Sequence, residues 1–206
     1  MAITTYAELQ TAVGNWLMRS DLTTAIPDFI TLSEAQMQRD LRDHYKLEKR
    51  SEVTLTDRYT ALPTDFMEPK RLYITGANRA LEPITASEMQ DKRYSSEDNA
   101  GDACSYTLTG GEIEIYPSPS GGTLEMTYIG RLPALSDSNT SNWVLDEAPD
   151  AYLYGSLLQA APYLDQDERL VTWTALYQKA VGDMLRQSER AKWGGQKLKL
   201  RTRRAV

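Results

Sequence analysis

Residue types that carry out catalysis are few in this sequence. Among its 206 residues there is one histidine, His44, and one cysteine, Cys104. A single histidine excludes a multi-histidine metal site, and a single cysteine excludes an intramolecular disulfide. His44 follows a predicted helix and has no serine nucleophile motif nearby, so we expect an exposed, structural role for it. Cys104 precedes a predicted strand without a local histidine, and we expect its thiol to be inert.

Carboxylates are the remaining candidates for chemistry. Six of them cluster around the predicted starts of two C-terminal helices: Asp146, Glu147, Asp150, Asp165, Asp167 and Glu168. A pair of them could act as the two acids of a glycosidase. Acids are also the ordinary complement of a helix N-terminus, and we prefer this structural interpretation. The Gly110–Gly111 pair lacks the lysine and helix of a phosphate-binding loop. We therefore expect no catalytic, cofactor or metal site.

Charge is distributed unevenly along the chain. Residues 1–193 contain 18 basic and 29 acidic side chains, a net charge near −11, whereas residues 194–206 contain five cations and no acid. The two consecutive glycines at 194 and 195 should end the preceding helix and release a basic arm. In this arm the cations alternate with two leucines, which an extended chain would place on opposite sides. Its predicted binding residues are Lys197, Leu198, Lys199, Leu200, Arg201, Arg203 and Arg204.

Such an arm needs an acidic or polyanionic acceptor, or else it is simply solvated. Its alternating pattern suits docking into a groove or onto a sheet edge. Both alternatives remain open on charge alone. The acidic balance of the whole chain, with a sequence pI near 4.9, argues against a nucleic-acid-binding surface. Phosphate contacts need a continuous basic surface, so only the arm could contact DNA.

Hydrophobic spacing predicts helices near the N-terminus. Thr5 and Glu8 have the spacing of a capping box, and apolar residues then recur at helical intervals over residues 5–19 and 26–43. The period changes to two from Glu52, which predicts strands. Two glycines at 110 and 111 between alternating segments predict a tight hairpin, followed by a third strand over residues 124–128.

Helical spacing returns after Trp143. Asp146 is placed to cap a helix that Pro162 breaks or kinks. Asp165 or Asp167 should start the longest helix, which runs to about residue 190 or 193. A short helix near residues 87–93 and a loop to residue 102 complete the central region.

These elements predict an α+β protein. Short amphipathic helices must bury their apolar stripes on one another, so residues 1–50 and 131–193 should form a four-helix bundle from both chain ends. Residues 51–130 form a mostly antiparallel β-rich insertion, and residues 194–206 form the extended C-terminal arm. Two separate helical hairpins flanking a β domain would use the same elements. No apolar run approaches the length of a membrane span and the start lacks a signal-peptide pattern, so we expect cytoplasmic synthesis.

The order of several segments resembles the head-to-tail adaptor proteins of tailed bacteriophages. One part of the resemblance is the run ALPTDFMEP at residues 61–69 with Arg71, Leu72 and Tyr73, followed by GEIEIYPSP at residues 111–119. The other part lies later in the chain, at residues 126–128 and 132–136, at Asn142, Trp143, Pro149 and Asp150, at residues 152–155, at Leu157, at residues 160–164 and at Trp173. The resemblance covers nearly the whole chain and includes no catalytic motif.

This resemblance implies a structural protein of the virion neck without enzyme activity. Family members form a homo-oligomeric ring, commonly twelvefold, beneath the portal protein, where they extend the DNA channel and carry downstream tail or nozzle proteins. The resemblance implies that the arm docks on the portal and that DNA passes through the channel without specific binding. The alternatives are another tail, stopper or baseplate protein, a tail-associated glycan hydrolase that uses carboxylates, and DNA binding through the arm.

Overall fold

The computed structural model describes residues 3–55, 57–77, 79–95, 103–117, 121–164 and 168–194. The chain divides into two compact units. The helical unit comprises residues 1–46 and 132–206, and the β unit comprises residues 47–131. The fold class is α+β, as the sequence predicts.

Six α-helices and seven strands make up the described structure. The helices are α1 (Tyr6–Leu17), α2 (Ile26–Asp40), α3 (Ala86–Ser95), α4 (Trp143–Glu147), α5 (Pro149–Gln159) and α6 (Arg169–Trp193). The strands are β1 (Glu48–Thr54), β2 (Tyr59–Ala61), β3 (Phe66–Ile74), β4 (Glu82–Pro83), β5 (Ser105–Thr109), β6 (Glu112–Tyr116) and β7 (Thr123–Gly130).

The first helix begins at the predicted capping box. The Glu8 N–H donates to Thr5 Oγ1 over 3.3 Å, and the Thr5 N–H donates to the Glu8 carboxylate over 3.1 Å. The two bonds satisfy backbone and side-chain groups that a helix start otherwise leaves open. The predicted capping box is therefore confirmed.

Helix α5 lies at the centre of the helical unit, where it packs against α1, α2 and α6. Its approach to α2 depends on Gly155, because a Cβ there would lie 2.2 Å from Ser33 Oγ and 3.2 Å from the ring of Tyr177 on α6. Helices from both chain ends thus share one buried centre. The stricter arrangement of a four-helix bundle stays a prediction.

The starts of the later helices differ from those predicted. Asn142, and not Asp146, caps α4, since its side-chain oxygen accepts from the backbone N–H groups of Val144 and Leu145. Asp146 lies inside α4. Pro149 then begins α5 as a separate helix, which is the position where its missing N–H costs nothing. The predicted starts at residues 165 and 167 lie outside the described residues, and α6 begins at Arg169.

Two sheets form the β unit. The first has the order β1-β7-β3 and is antiparallel. The second has the order β2-β6-β5-β4, in which β4 pairs with β5 in parallel. The predicted hairpin joins β5 to β6, with Gly110 and Gly111 at φ values of 61° and 88°. Positive φ at both turn residues is the geometry that glycine adopts without strain. The predicted third strand, β7, pairs with β1 and β3 and not with this hairpin.

One hydrophobic core joins the two sheets. Its buried members come from β3 and β7 of the first sheet and from β5 and β6 of the second: Leu72, Tyr106, Ile113, Ile115, Leu124, Met126 and Tyr128. The two sheets therefore stabilise each other through apolar burial.

Candidate assembly interface

The predicted binding residues of the arm lie outside the described residues. This holds for Lys197, Leu198, Lys199, Leu200, Arg201, Arg203 and Arg204. What the structure does describe is the point from which the arm departs. Helix α6 ends at Trp193, and Gly194 adopts an extended backbone with φ −60° and ψ 118°. A Cβ on residue 194 would lie 2.7 Å from the carbonyl oxygen of Arg190, so glycine fits this close approach.

The last turns of α6 are held against the connection between α2 and β1. The Tyr45 N–H donates to Ser188 Oγ over 2.9 Å, and Lys192 Nζ donates to the Asp43 carbonyl over 2.5 Å. Ser188 is almost fully buried. We call these four residues the α6 anchor. The anchor places the start of the arm at a defined position on the helical unit.

His44 lies beside this anchor and is buried, with a relative exposure of only 2%. The expectation of an exposed histidine was wrong. Its ring stacks on Trp143 at a centroid distance of 4.5 Å, and its Nδ1 accepts from the Lys46 N–H over 3.3 Å. Burial lowers the pKa of His44, and the Glu147 carboxylate opposes part of that shift. These contacts agree with the structural role predicted for His44. Trp143, which covers its ring, lies 99 positions further along the chain.

A buried polar network holds the segment that returns from the β unit. Glu34 Oε1 on α2 accepts from the Leu135 N–H over 2.7 Å and from the Tyr152 hydroxyl over 3.0 Å. Asn142 Nδ2 donates to the Tyr152 oxygen over 2.5 Å and to the Pro133 carbonyl over 2.7 Å. Burial raises the pKa of Glu34, while its two hydrogen bonds lower it. Burial and the neighbouring Glu34 also raise the pKa of Tyr152.

Asp65 has a comparable structural role in the β unit. Its carboxylate accepts from Lys49 Nζ over 2.5 Å and from the Tyr128 hydroxyl over 3.0 Å. Burial raises the pKa of Asp65, but these two hydrogen bonds outweigh it, and the net direction is downward. Gly130 permits the arrangement, because a Cβ there would lie 2.8 Å from Lys49 Cδ and 3.2 Å from the Asp65 carboxylate. The sequence run at residues 61–69 thus contains an acid whose contacts hold β1 and β7 at this point.

Glu114 is the buried acid of the second sheet. Its Oε1 lies 2.8 Å from Arg58 Nε and 2.5 Å from Arg93 Nη2 of α3. Lys92 Nζ adds a hydrogen bond to Ser105 Oγ over 3.2 Å, and Met89 on the same helix is buried. These contacts attach α3 to the sheet. Sequence analysis did not single out Glu114, because strand alternation alone does not show that a helix covers that face.

The carboxylates considered as a glycosidase pair have local structural roles. Asp146 Oδ1 accepts from the Ser141 hydroxyl over 2.6 Å, and Asp150 Oδ1 accepts from the Ala151 N–H over 3.1 Å. Glu147 forms an ion pair with Lys46 over 2.6 Å. Glu168 precedes α6, and residues 165 and 167 lie outside the described residues.

Within the described ranges, no three or more His, Cys, Asp or Glu side chains are grouped so that they could hold a metal ion. Among the same residues, no helix has both the length and the apolar character needed to cross a membrane.

The buried polar groups described above each hold one chain segment against another. Residues 4–201 match the family model described as SU10 adaptor protein. Because the match covers nearly the whole chain, this chain belongs to that family of phage head-to-tail adaptors. The resemblance seen in the sequence is confirmed. None of the curated proteins compared with this chain matches it.

Membership makes the chain a structural protein of the bacteriophage head–tail connection. It implies a place in the virion neck and an oligomeric assembly with portal and tail proteins.

Proposed function

We propose that the chain forms a ring beneath the portal, extends the DNA channel and carries the tail proteins, without catalytic turnover. Family membership supports the neck position and the two partners. Twelve copies would match the commonest ring in proteins that this chain resembles. The ring would leave DNA free to slide, because an acidic body of charge near −11 repels phosphates.

The observation that carries the portal contact is the reversal of charge at the end of α6. The arm contributes five cations, and its two leucines can fill apolar pockets between acidic groups of the portal. The α6 anchor fixes where the arm starts, so each copy would present it in the same direction. When several arms of one adaptor ring bind one portal ring, the overall affinity exceeds that of a single arm, because every contact after the first is intramolecular.

Truncation after Gly194 tests this proposal. We expect the shortened chain to remain folded, as monitored by tryptophan fluorescence, because all four tryptophans lie at or before residue 193. Binding to the purified portal should fall by more than about tenfold, because several charge-assisted contacts are lost together.

A matched control keeps the arm's length and leucines but replaces Lys199 and Arg201 with glutamine. Its portal binding should weaken by a smaller factor and should depend less on salt than that of the natural chain. Portal binding that is unchanged by truncation would reject the arm as the docking element.

A further inference from the structure

An acidic groove lies in the helical unit between the N-terminal segment and the start of α5. It encloses about 460 Å³. Its apolar lining includes Leu145 and Leu153, both buried, together with Ile3 and Pro149. Asp146 and Asp150 lie at its edge and are exposed. No lysine or arginine lines it, and within the described part of the chain neither aspartate is in an ion pair.

The chemistry of the groove complements the chemistry of residues 197–201. That segment alternates lysine or arginine with leucine, so an extended chain presents leucines to one side and cations to the other. The groove offers an apolar floor to the leucines and carboxylates to the cations. This segment contributes three of the five cations that lie between residues 197 and 204 with no acid among them.

The position of the α6 end brings the segment within reach of the groove. Lys192 is bonded to the Asp43 carbonyl, and the neighbouring His44 stacks on Trp143, the first residue of α4. Two residues further along the same short helix, Leu145 begins the lining of the groove. When the chain is extended, Lys197 can lie roughly 10 Å from Gly194 and Arg201 roughly 24 Å from it. Tethering at this distance gives an effective concentration on the order of millimolar, so a groove that binds the segment with a dissociation constant of about 1 mM would be half occupied.

We propose that residues 197–201 of the free adaptor occupy the Asp146–Asp150 groove of their own chain and that portal binding displaces them. This inference rests on the proposed function, because it describes the arm before the portal is present. The groove would cover the leucines and neutralise part of the arm's charge until assembly. Portal affinity would be reduced by the fraction of chains in which the arm is held, so the groove would restrain binding to any weaker acidic surface.

Limited trypsin digestion of the full chain tests the proposal. Trypsin cleaves after lysine and arginine, so the rate of cleavage at Lys197, Lys199 and Arg201 reports whether this segment is accessible. Each rate is followed by mass spectrometry and divided by the rate for a synthetic peptide of residues 195–206. The double variant Asp146→Asn and Asp150→Asn should be cleaved about three- to tenfold faster than the natural chain. Equal normalised rates would overturn the inference.

Two further variants separate a specific groove from general effects. Asp28→Asn with Asp183→Asn makes the same change of net charge at exposed positions outside the groove, and it should leave the rate unchanged. Leu198→Ser with Leu200→Ser removes the apolar contacts, keeps every cleavage site and leaves the described fold untouched; it should accelerate cleavage as much as the groove variant. Acceleration by the control, or none by the leucine variant, would contradict the proposal.

The same digestion distinguishes an arm bound to the groove of its own chain from an arm bound to the groove of a second copy. Protection within one chain is independent of protein concentration, whereas protection that increases with concentration would contradict the own-chain assignment. Portal binding provides the separate readout. If truncation after Gly194 abolishes portal binding while the groove variant is digested like the natural chain, the groove inference fails and the proposed function stands. If truncation leaves portal binding unchanged, the proposed function fails whatever the digestion rates.

Discussion

The helical unit and the β unit each bury one glutamate among their described residues, and they stabilise it by different means. Glu34 accepts hydrogen bonds from a backbone N–H and a tyrosine hydroxyl. Glu114 contacts two guanidinium groups. A network with uncharged donors depends on hydrogen-bond geometry, whereas an ion-pair network couples elements through charge. The difference indicates that the helical unit fixes a returning chain segment, while the β unit attaches an overlying helix.

The largest effect should come from removing the Glu34 side chain, which is the acceptor of the first network. Glu34→Ala leaves the Leu135 N–H and the Tyr152 hydroxyl without their acceptor, and we expect a loss of about 2–4 kcal/mol in the free energy of unfolding. Tryptophan fluorescence during urea unfolding measures it, because all four tryptophans belong to the helical unit.

Glu34→Gln is the matched control for this variant. Glutamine has the same side-chain length as glutamate and keeps an oxygen that can accept these hydrogen bonds. The loss in the free energy of unfolding should therefore be about 1 kcal/mol or less. Equal losses in the two variants would show that the buried acceptor has no special importance.

A smaller effect is expected in the ion-pair network. Glu114→Gln removes the charge shared by Arg58 and Arg93, and we expect a loss of about 1–3 kcal/mol, less than for a fully buried pair because Arg58 is exposed. Labelling of the Cys104 thiol reports unfolding of the β unit, which contains the single cysteine. Arg58→Gln should cost less than about 1 kcal/mol. Arg93 should be the principal partner of Glu114, because its side chain is 15% exposed and that of Arg58 is 46% exposed. Equal losses from Arg58→Gln and Glu114→Gln would contradict this expectation.

The smallest effect concerns pH, and it should also differ between the two units. Burial lowers the pKa of His44 from its ordinary value of 6.5, so the unfolded chain binds a proton at a higher pH than the folded chain does. Stability of the helical unit is therefore lost as the pH falls below about 6.5. In the β unit, the pKa of Asp65 is lowered from 3.8, so its contribution is present above that value and is lost only at more acidic pH.

His44→Phe isolates this effect, because phenylalanine keeps a ring for Trp143 and does not titrate. The difference in unfolding free energy between the natural chain and this variant should shrink between pH 7 and pH 5. Glu34 titrates in both proteins, so its contribution cancels. A difference that is constant over this range would contradict the assignment to His44.

Local patterns were sufficient for much of the fold and insufficient for its long-range pairings. The capping box at Thr5, the hairpin at Gly110 and the end of α6 near Trp193 each depend on residues a few positions apart, and all three were predicted correctly. The pairing of β7 with β1 and β3, and the burial of His44 by Trp143, depend on residues far apart in sequence. No periodicity encodes such contacts.

The candidate interface likewise combines features that local sequence predicts with features that depend on distant segments. Charge and the two glycines predicted where the arm begins, and Gly194 indeed ends α6. The α6 anchor and the acidic groove were not predicted, because each combines residues from segments roughly 100 or more positions apart. The cap at Asn142 was missed for a local reason, since Asn142 and Asp146 are both acceptable capping residues and Pro149 divides the pattern.

We propose that this acidic adaptor assembles as a ring on the portal through its basic arm. The most direct measurement is the mass of the natural chain alone and mixed with a purified portal ring. We expect no ring in the absence of the portal and, in its presence, a complex with one adaptor for each portal subunit. A stable adaptor ring without the portal, or a mixture in which the two proteins remain separate, would contradict it.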